Sequence, residues 1–181
     1  MHGLKEWATV VKALESGDQT VLLRKGGILE TASGFVVEQK KFLLFPTYEH
    51  QSLDNLKPQY HKYLDLAMND KPKEGQNRIT SFAEVIAEAD LTDEVKINEL
   101  SKFHIWSDSY IKTRMNWMPQ KAIKAIFLKT YKIPESHIAS KPEFQGCKSW
   151  IDINANHESG KPVLSDSEIN EKLKAFEDII N

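Results

Sequence analysis

Cysteine is almost missing: Cys147 is the single one among 181 residues. It cannot close an intrachain disulfide or furnish a cysteine-rich zinc site, which excludes stapled scaffolds. Long apolar runs are absent too, and none approaches the ~18 residues of a membrane span. Charge of one sign is also lacking, with 24 Lys and Arg against 26 Asp and Glu and a net charge of −2. That balance excludes a wholly basic nucleic-acid binder but not a local basic face. The chain contains no Walker loop, no G-x-G-x-x-G, no G-x-S-x-G and no H-E-x-x-H. The enzyme readings those motifs carry are therefore removed. The six histidines are scattered without an i, i+2 or i+4 histidine partner, so no metal and no other cofactor is expected. Met1, His2 and Gly3 lead into the first amphipathic pattern without the apolar core of a signal peptide. A cytoplasmic location and no membrane association are the expectations.

What is present reads as one globular domain over residues 1–181. Hydrophobic residues make up 40% and charged residues 28%, ordinary for a soluble chain, and folding at this length buries roughly 70% of the unfolded surface. Leu4, Trp7, Val11 and Leu14 share one face of a 3.6-residue period, predicting a buried amphipathic helix closed by Gly17. Thr20–Arg24 reads as a strand, Gly26-Gly27 as a tight turn, and Ile28-Leu29-Glu30 as the returning strand. Phe35-Val36-Val37 and Phe42–Phe45 flank a polar stretch and read as a second hairpin, closed by Pro46. A helix follows Pro58, and the segment 69–77 is the candidate internal linker. Residues 78–89 fit strand or helix equally. Helical patterns follow from Ile97 to Phe103 and through Arg114, then strands at Ile123–Ile133 and Lys148–Ile151. Ser165 and Glu168 form a capping box, with Ile169, Leu173, Phe176 and Ile180 as the apolar stripe of a C-terminal helix. Without strict β-α alternation, the class is α+β around a mainly antiparallel sheet or small barrel, with amphipathic helices at both ends.

Basic residues are unevenly placed. From Lys112 to Lys141 the local charge is +6, with Trp106, Trp117 and Tyr131 in or beside that stretch. Cations interleaved with aromatics suit phosphate contact plus base stacking. Arg24 and Lys25 beside the diglycine form a second anion-binding candidate. Asp18 with Glu38 and Lys40 mimics the Asp…Glu-x-Lys set of restriction-type nucleases, in which two carboxylates hold a divalent cation. That chemistry requires E-x-K on a strand, whereas these residues read as a hairpin turn.

Leu4–Trp7, the run Leu22–Glu30, the run Phe42–Gln51 and Gly146–Trp150 resemble a bacterial family catalogued as domain of unknown function 1802. The resemblance spans nearly the whole chain and implies a link to DNA or RNA metabolism. The segment Gly17–Arg24 is also similar to the G-x-K-x-x-E-x-R signature of the ASCH branch of PUA-like domains, small β-barrels associated with RNA. Gly17 and Arg24 fall in place, but Gln19 and Leu22 stand where that signature has Lys and Glu. Those two departures argue against the hydrolytic activity of that group.

The expectation is thus a PUA-like module that binds RNA or DNA without catalysis. Arg24 and Lys25 would contact phosphate. Trp106, Arg114 and Trp150 would line a base-stacking surface, and Tyr48, His50 and Gln51 would recognise polar groups from the loop after Pro46. The competing readings are the nuclease and a protein–protein interaction module.

Overall fold

The N-terminal apolar pattern divides between a strand and a helix instead of forming one helix. In the computed structural model, which describes residues 1–26, 34–155, 157 and 159–181, β1 runs His2–Trp7 and α1 runs Ala8–Ser16. β1 is paired on both sides, in parallel with β3 (Lys41–Thr47) and antiparallel with β6 (Trp150–Asp152). Two ladders outweigh the helix propensity of Leu-Lys-Glu-Trp. Gly3 permits the close packing, since a Cβ there would lie 2.4 Å from Cδ1 of Ile153. α1 buries Val10, Val11, Ala13 and Leu14. It ends at Gly17, whose φ of 82° is the left-handed cap its position predicted.

β2 (Val21–Arg24) forms as expected. The returning strand at Ile28–Glu30 and Gly27 of the diglycine turn lie outside the described residues. The second hairpin does not form: residues 34–39 are irregular, and only β3 of that pair is a strand. The reason lies in β3 itself, whose faces are both buried. Phe42 and Leu44 enter the main core, whereas Leu43 and Phe45 enter a second one with Ile79, Phe82, Phe144 and Ile151. A strand covered on both faces belongs inside a sheet, and β3 accordingly sits between β1 and β4 (Gln76–Leu91).

Helix α2 (Lys62–Asn69) follows Pro58 as predicted, and residues 70–75 carry the chain to β4. The ambiguous stretch at 78–89 is strand throughout. It pairs antiparallel with β5 (Ile123–Ala139), with register shifts between Ile79 and Ser81 and between Val85 and Ala87. Between these strands come α3 (Glu94–Glu99), a 3-10 turn (Leu100–Phe103) and α4 (Asp108–Asn116). The short β7 (Lys161–Pro162), which no sequence signal marked, lies against β5. α5 (Asp166–Ile180) begins with the expected capping box, and Phe176 packs 5.4 Å from Phe127 and 6.3 Å from Phe103 between ring centroids. It buries Ile179 more deeply than Ile180.

Among the described residues the architecture is α+β with a seven-stranded, mainly antiparallel sheet in the order β2-β5-β4-β3-β1-β6, β7 lying off that path. Among the described residues the ladder does not close into a barrel. Its two ends nevertheless meet. Arg24 of β2 donates to the Lys5 carbonyl of β1 at 3.3 Å, to Glu6 Oε2 at 2.9 Å and to Ser149 Oγ, just before β6, at 2.8 Å. A side chain spans the seam that backbone hydrogen bonds leave open.

Candidate functional site

The seam collects charged and aromatic side chains from elements far apart in sequence. Glu6, 5% exposed, reaches it because its spacing of two from Leu4 puts it on the buried face of β1. Arg24 satisfies it, and the backbone N–H of Trp7 donates to the other carboxylate oxygen at 2.9 Å. The Arg24 guanidinium lies 5.0 Å from the Phe35 ring centroid. Phe35 in turn stacks on Trp150 at 6.1 Å, and Phe42 meets Trp150 edge-on at 5.1 Å. On the other flank, Trp7 packs on Tyr110 of α4 at 5.1 Å. Burial raises the Tyr110 phenol above its ordinary value; Arg114 opposes the rise, Glu6 adds to it and Arg24 opposes it. Arg114, in the last turn of α4, lies over the half-buried Trp117 ring at 5.1 Å. Lys5 donates to the Gly146 carbonyl at 2.7 Å. Burial lowers its ammonium, while Cys147 and Glu49 pull the other way. The seam therefore offers guanidinium donors beside half-buried aromatic faces, a combination suited to stacking and phosphate contact.

Arg24, Arg114 and Trp150 of the expected residues belong to this constellation. Lys25 is 3% exposed, and its amine donates to the Met115 carbonyl at 2.5 Å. Burial lowers its pKa, with Arg114 adding to the effect. It anchors the end of α4 from inside. Trp106 is buried behind Tyr110, ring centroids 6.3 Å apart, and its Nε1–H has no hydrogen-bond partner among the described residues. Gln51 clamps the start of α1: its Oε1 accepts from the Thr9 backbone N–H and hydroxyl, both at 2.9 Å. His50 is exposed with a φ of 62°. Tyr48 faces another neighbourhood, with Lys71 5.6 Å from its ring centroid and Arg78 and Asp70 in its field. The +6 stretch does not form one basic face. Lys124 pairs with Asp90 at 2.9 Å, Lys129 with Asp166 at 2.6 Å and Lys141 with Glu143 at 3.6 Å.

Sequence reasoning missed Glu6, Trp7, Tyr110 and Ser149 as site residues. Only Glu6 left a signal, an acidic residue two positions from a core leucine. The nuclease set is not gathered. Asp18 accepts from the Tyr63 hydroxyl at 2.5 Å, Lys40 pairs with Glu88 at 3.0 Å, and Glu38 lies in the irregular segment before β3. Among the described residues no group of three His, Cys, Asp or Glu could hold a metal ion, and no helix is long and apolar enough to cross a membrane.

The family described as "Domain of unknown function (DUF1802)" matches residues 3–175. The chain belongs to that family. No curated protein matches it. Among solved structures it is similar to the ASCH protein of Zymomonas mobilis. A tyrosine-to-phenylalanine mutant of that protein shares 14% identity and covers 96% of each chain, with a TM-score of 0.43. A serine-to-alanine mutant shares 13%, covering 70% of this chain and 66% of its own, with a TM-score of 0.42. In this DUF1802 chain the two positions that depart from the ASCH signature have internal duties. Gln19 donates to the Val21 carbonyl at 2.9 Å and accepts from the Ile105 N–H at 3.2 Å. Leu22 is completely buried.

Proposed function

We propose that the protein binds single-stranded RNA or DNA across the seam, as a non-catalytic module acting in nucleic-acid metabolism. One observation carries the reading: Arg24 lies over the Phe35 ring and Arg114 over the Trp117 ring, and both act on the Tyr110 that packs on Trp7, so cation and π-face stand together where the sheet leaves its ladder open. Nucleic-acid strands need both, because every base has a stacking face and every nucleotide a phosphate. Arg24 is held by Glu6 and Ser149, so its remaining donors are pre-oriented and lose little freedom on binding. Arg114 has no carboxylate partner among the described residues and is available to phosphate.

The test is a titration of fluorescent oligouridylate at two salt concentrations. Affinity falls steeply with salt, since each neutralised phosphate releases counterions. Arg114→Ala weakens binding, whereas Lys129→Ala, whose ammonium is paired with Asp166, leaves it unchanged. Absence of binding at low salt, or equal losses in the two variants, removes the seam as the binding surface and favours a protein partner.

A further inference from the structure

Another concave feature lies at the end of α2 and the far end of the β4–β5 pair. There a cleft of about 370 Å³ is lined by Asp70, Lys71, Lys73, Arg78, Glu135 and His137, among others. Its volume lies in the range of small-ligand sites. We propose that this cleft takes a phosphate group of the strand bound at the seam, an inference that rests on the reading above.

The cleft's carboxylates are already occupied. Asp70 is bonded by Lys12 and by Arg78 Nη2, the latter at 3.4 Å. Glu135 receives Arg78 Nε at 3.0 Å on one oxygen and His137 Nε2 at 2.6 Å on the other. These contacts hold the Arg78 guanidinium through Nε and Nη2. The cations that remain are Lys71 and Lys73, both exposed, on either side of Pro72. Proline limits the backbone freedom between them. Lys73 has no carboxylate within reach among the described residues, and the Lys71 ammonium rests over the Tyr48 ring. The turn below is fixed, since the Gln76 N–H donates to the Lys73 carbonyl at 3.1 Å and the Ser140 N–H to Gly75 at 2.9 Å. Two ammonium groups without a carboxylate partner among the described residues, lining one cleft with a clamped guanidinium, suit a group with several anionic oxygens. A phosphate has them; a lone carboxylate has fewer.

One loop connects this cleft to the seam. Tyr48 stands under Lys71, and the next residue, Glu49, lies in the field of Lys5 at the seam. Adjacent Cα atoms are about 3.8 Å apart, so the two sites flank a single short turn. In this proposal the strand passes from the seam past His50 to the cleft.

The test compares the wild-type protein with the double variant Lys71→Gln/Lys73→Gln, both substitutions being on an exposed loop. Oligouridylates of about 4 and about 16 nucleotides, the span of single-strand site sizes, are titrated at several salt concentrations. The double variant should bind the long oligomer about tenfold more weakly. Its salt slope should be shallower by about 1.4, two single-strand contacts at about 0.7 each. The short oligomer, which the seam accommodates alone, should bind both proteins equally. If wild-type protein binds both oligomers and the double variant matches it, the cleft inference fails and the seam reading stands. If wild-type protein binds neither, the seam reading fails and takes the inference with it. A third arm titrates inorganic phosphate while following the His137 imidazole resonances. Perturbation by phosphate without any oligomer effect assigns the cleft to a free phosphate compound and overturns the proposal.

Discussion

Replacing Arg24 by alanine tests the closure of the sheet through one side chain. The substitution deletes the hydrogen bonds by which Arg24 of β2 holds the Lys5 carbonyl, Glu6 and Ser149 at the β1–β6 end. It also leaves Glu6, whose side chain is 5% exposed, as an unpaired buried carboxylate. Removing one partner of a buried ion pair costs about 3–5 kcal/mol. The Arg24 side chain is itself 20% exposed, so water can enter the gap and the lower end, about 3 kcal/mol, applies. Domains of this size lose about 2–4 °C of melting temperature per kcal/mol, so Tm should fall by roughly 6–12 °C. The companion variant is Glu6→Gln, which keeps an acceptor for the Trp7 N–H but removes the charge. Combined with Arg24→Ala it should restore at least about 1 kcal/mol, because no buried charge is then stranded. Chemical denaturation of the four proteins closes the cycle. An Arg24→Ala protein within about 0.5 kcal/mol of wild type, the range of an unremarkable surface change, or strictly additive effects, would refute the seam's electrostatic closure.

Three further outcomes follow from the packing. Burial, with Lys57 nearby, depresses His104 to about 3 from the ordinary 6.5. Between those values the unfolded chain binds the proton and the folded one does not, so His104's contribution is complete above pH ~6.5 and lost as pH falls towards 3. Urea titrations at pH 7 and pH 4.5 should show His104→Gln losing less stability on acidification than wild type; an equal loss contradicts the burial argument. Gly17→Ala places a Cβ 2.7 Å from Leu164 at a φ of 82° and should destabilise by at least about 1 kcal/mol, read from thermal melts; an unchanged Tm contradicts it. Ser165→Ala breaks the box at the start of α5 and should cost about 0.5–2 kcal/mol by denaturant titration, while no change would show that the cap contributes nothing.

Local chemistry made some elements legible and hid others. Gly17 announced a left-handed cap, Ser165 and Glu168 announced a capping box, and the run at Val21–Arg24 a strand, because each signal lies within a few residues. β1 was hidden because the helical spacing of Leu4, Trp7, Val11 and Leu14 runs across a strand–helix boundary at Trp7. The pairing that decides the matter, Gly3–Trp7 beside Leu43–Thr47, joins segments some forty residues apart. The false hairpin at Phe35–Phe45 has the same origin, since an apolar run is equally compatible with a strand and with a buried irregular plug. Phe35 became the plug, wedged between Arg24 and Trp150. Site residues were legible in proportion to their independence from that topology. Arg24 and Trp150 stood out by type. Tyr110 and Glu6 gained meaning only when the ends of the sheet met.

Photo-cross-linking tests the central claim most directly. Wild-type protein is irradiated with a 5-bromouridine oligomer, and the adducts are located by mass spectrometry. Adducts at Trp7, Tyr110 and Trp117, suppressed by high salt and by Arg114→Ala, are the result that places a strand on the seam. Adducts confined to residues away from these three, or none under conditions where the oligomer binds, would contradict it.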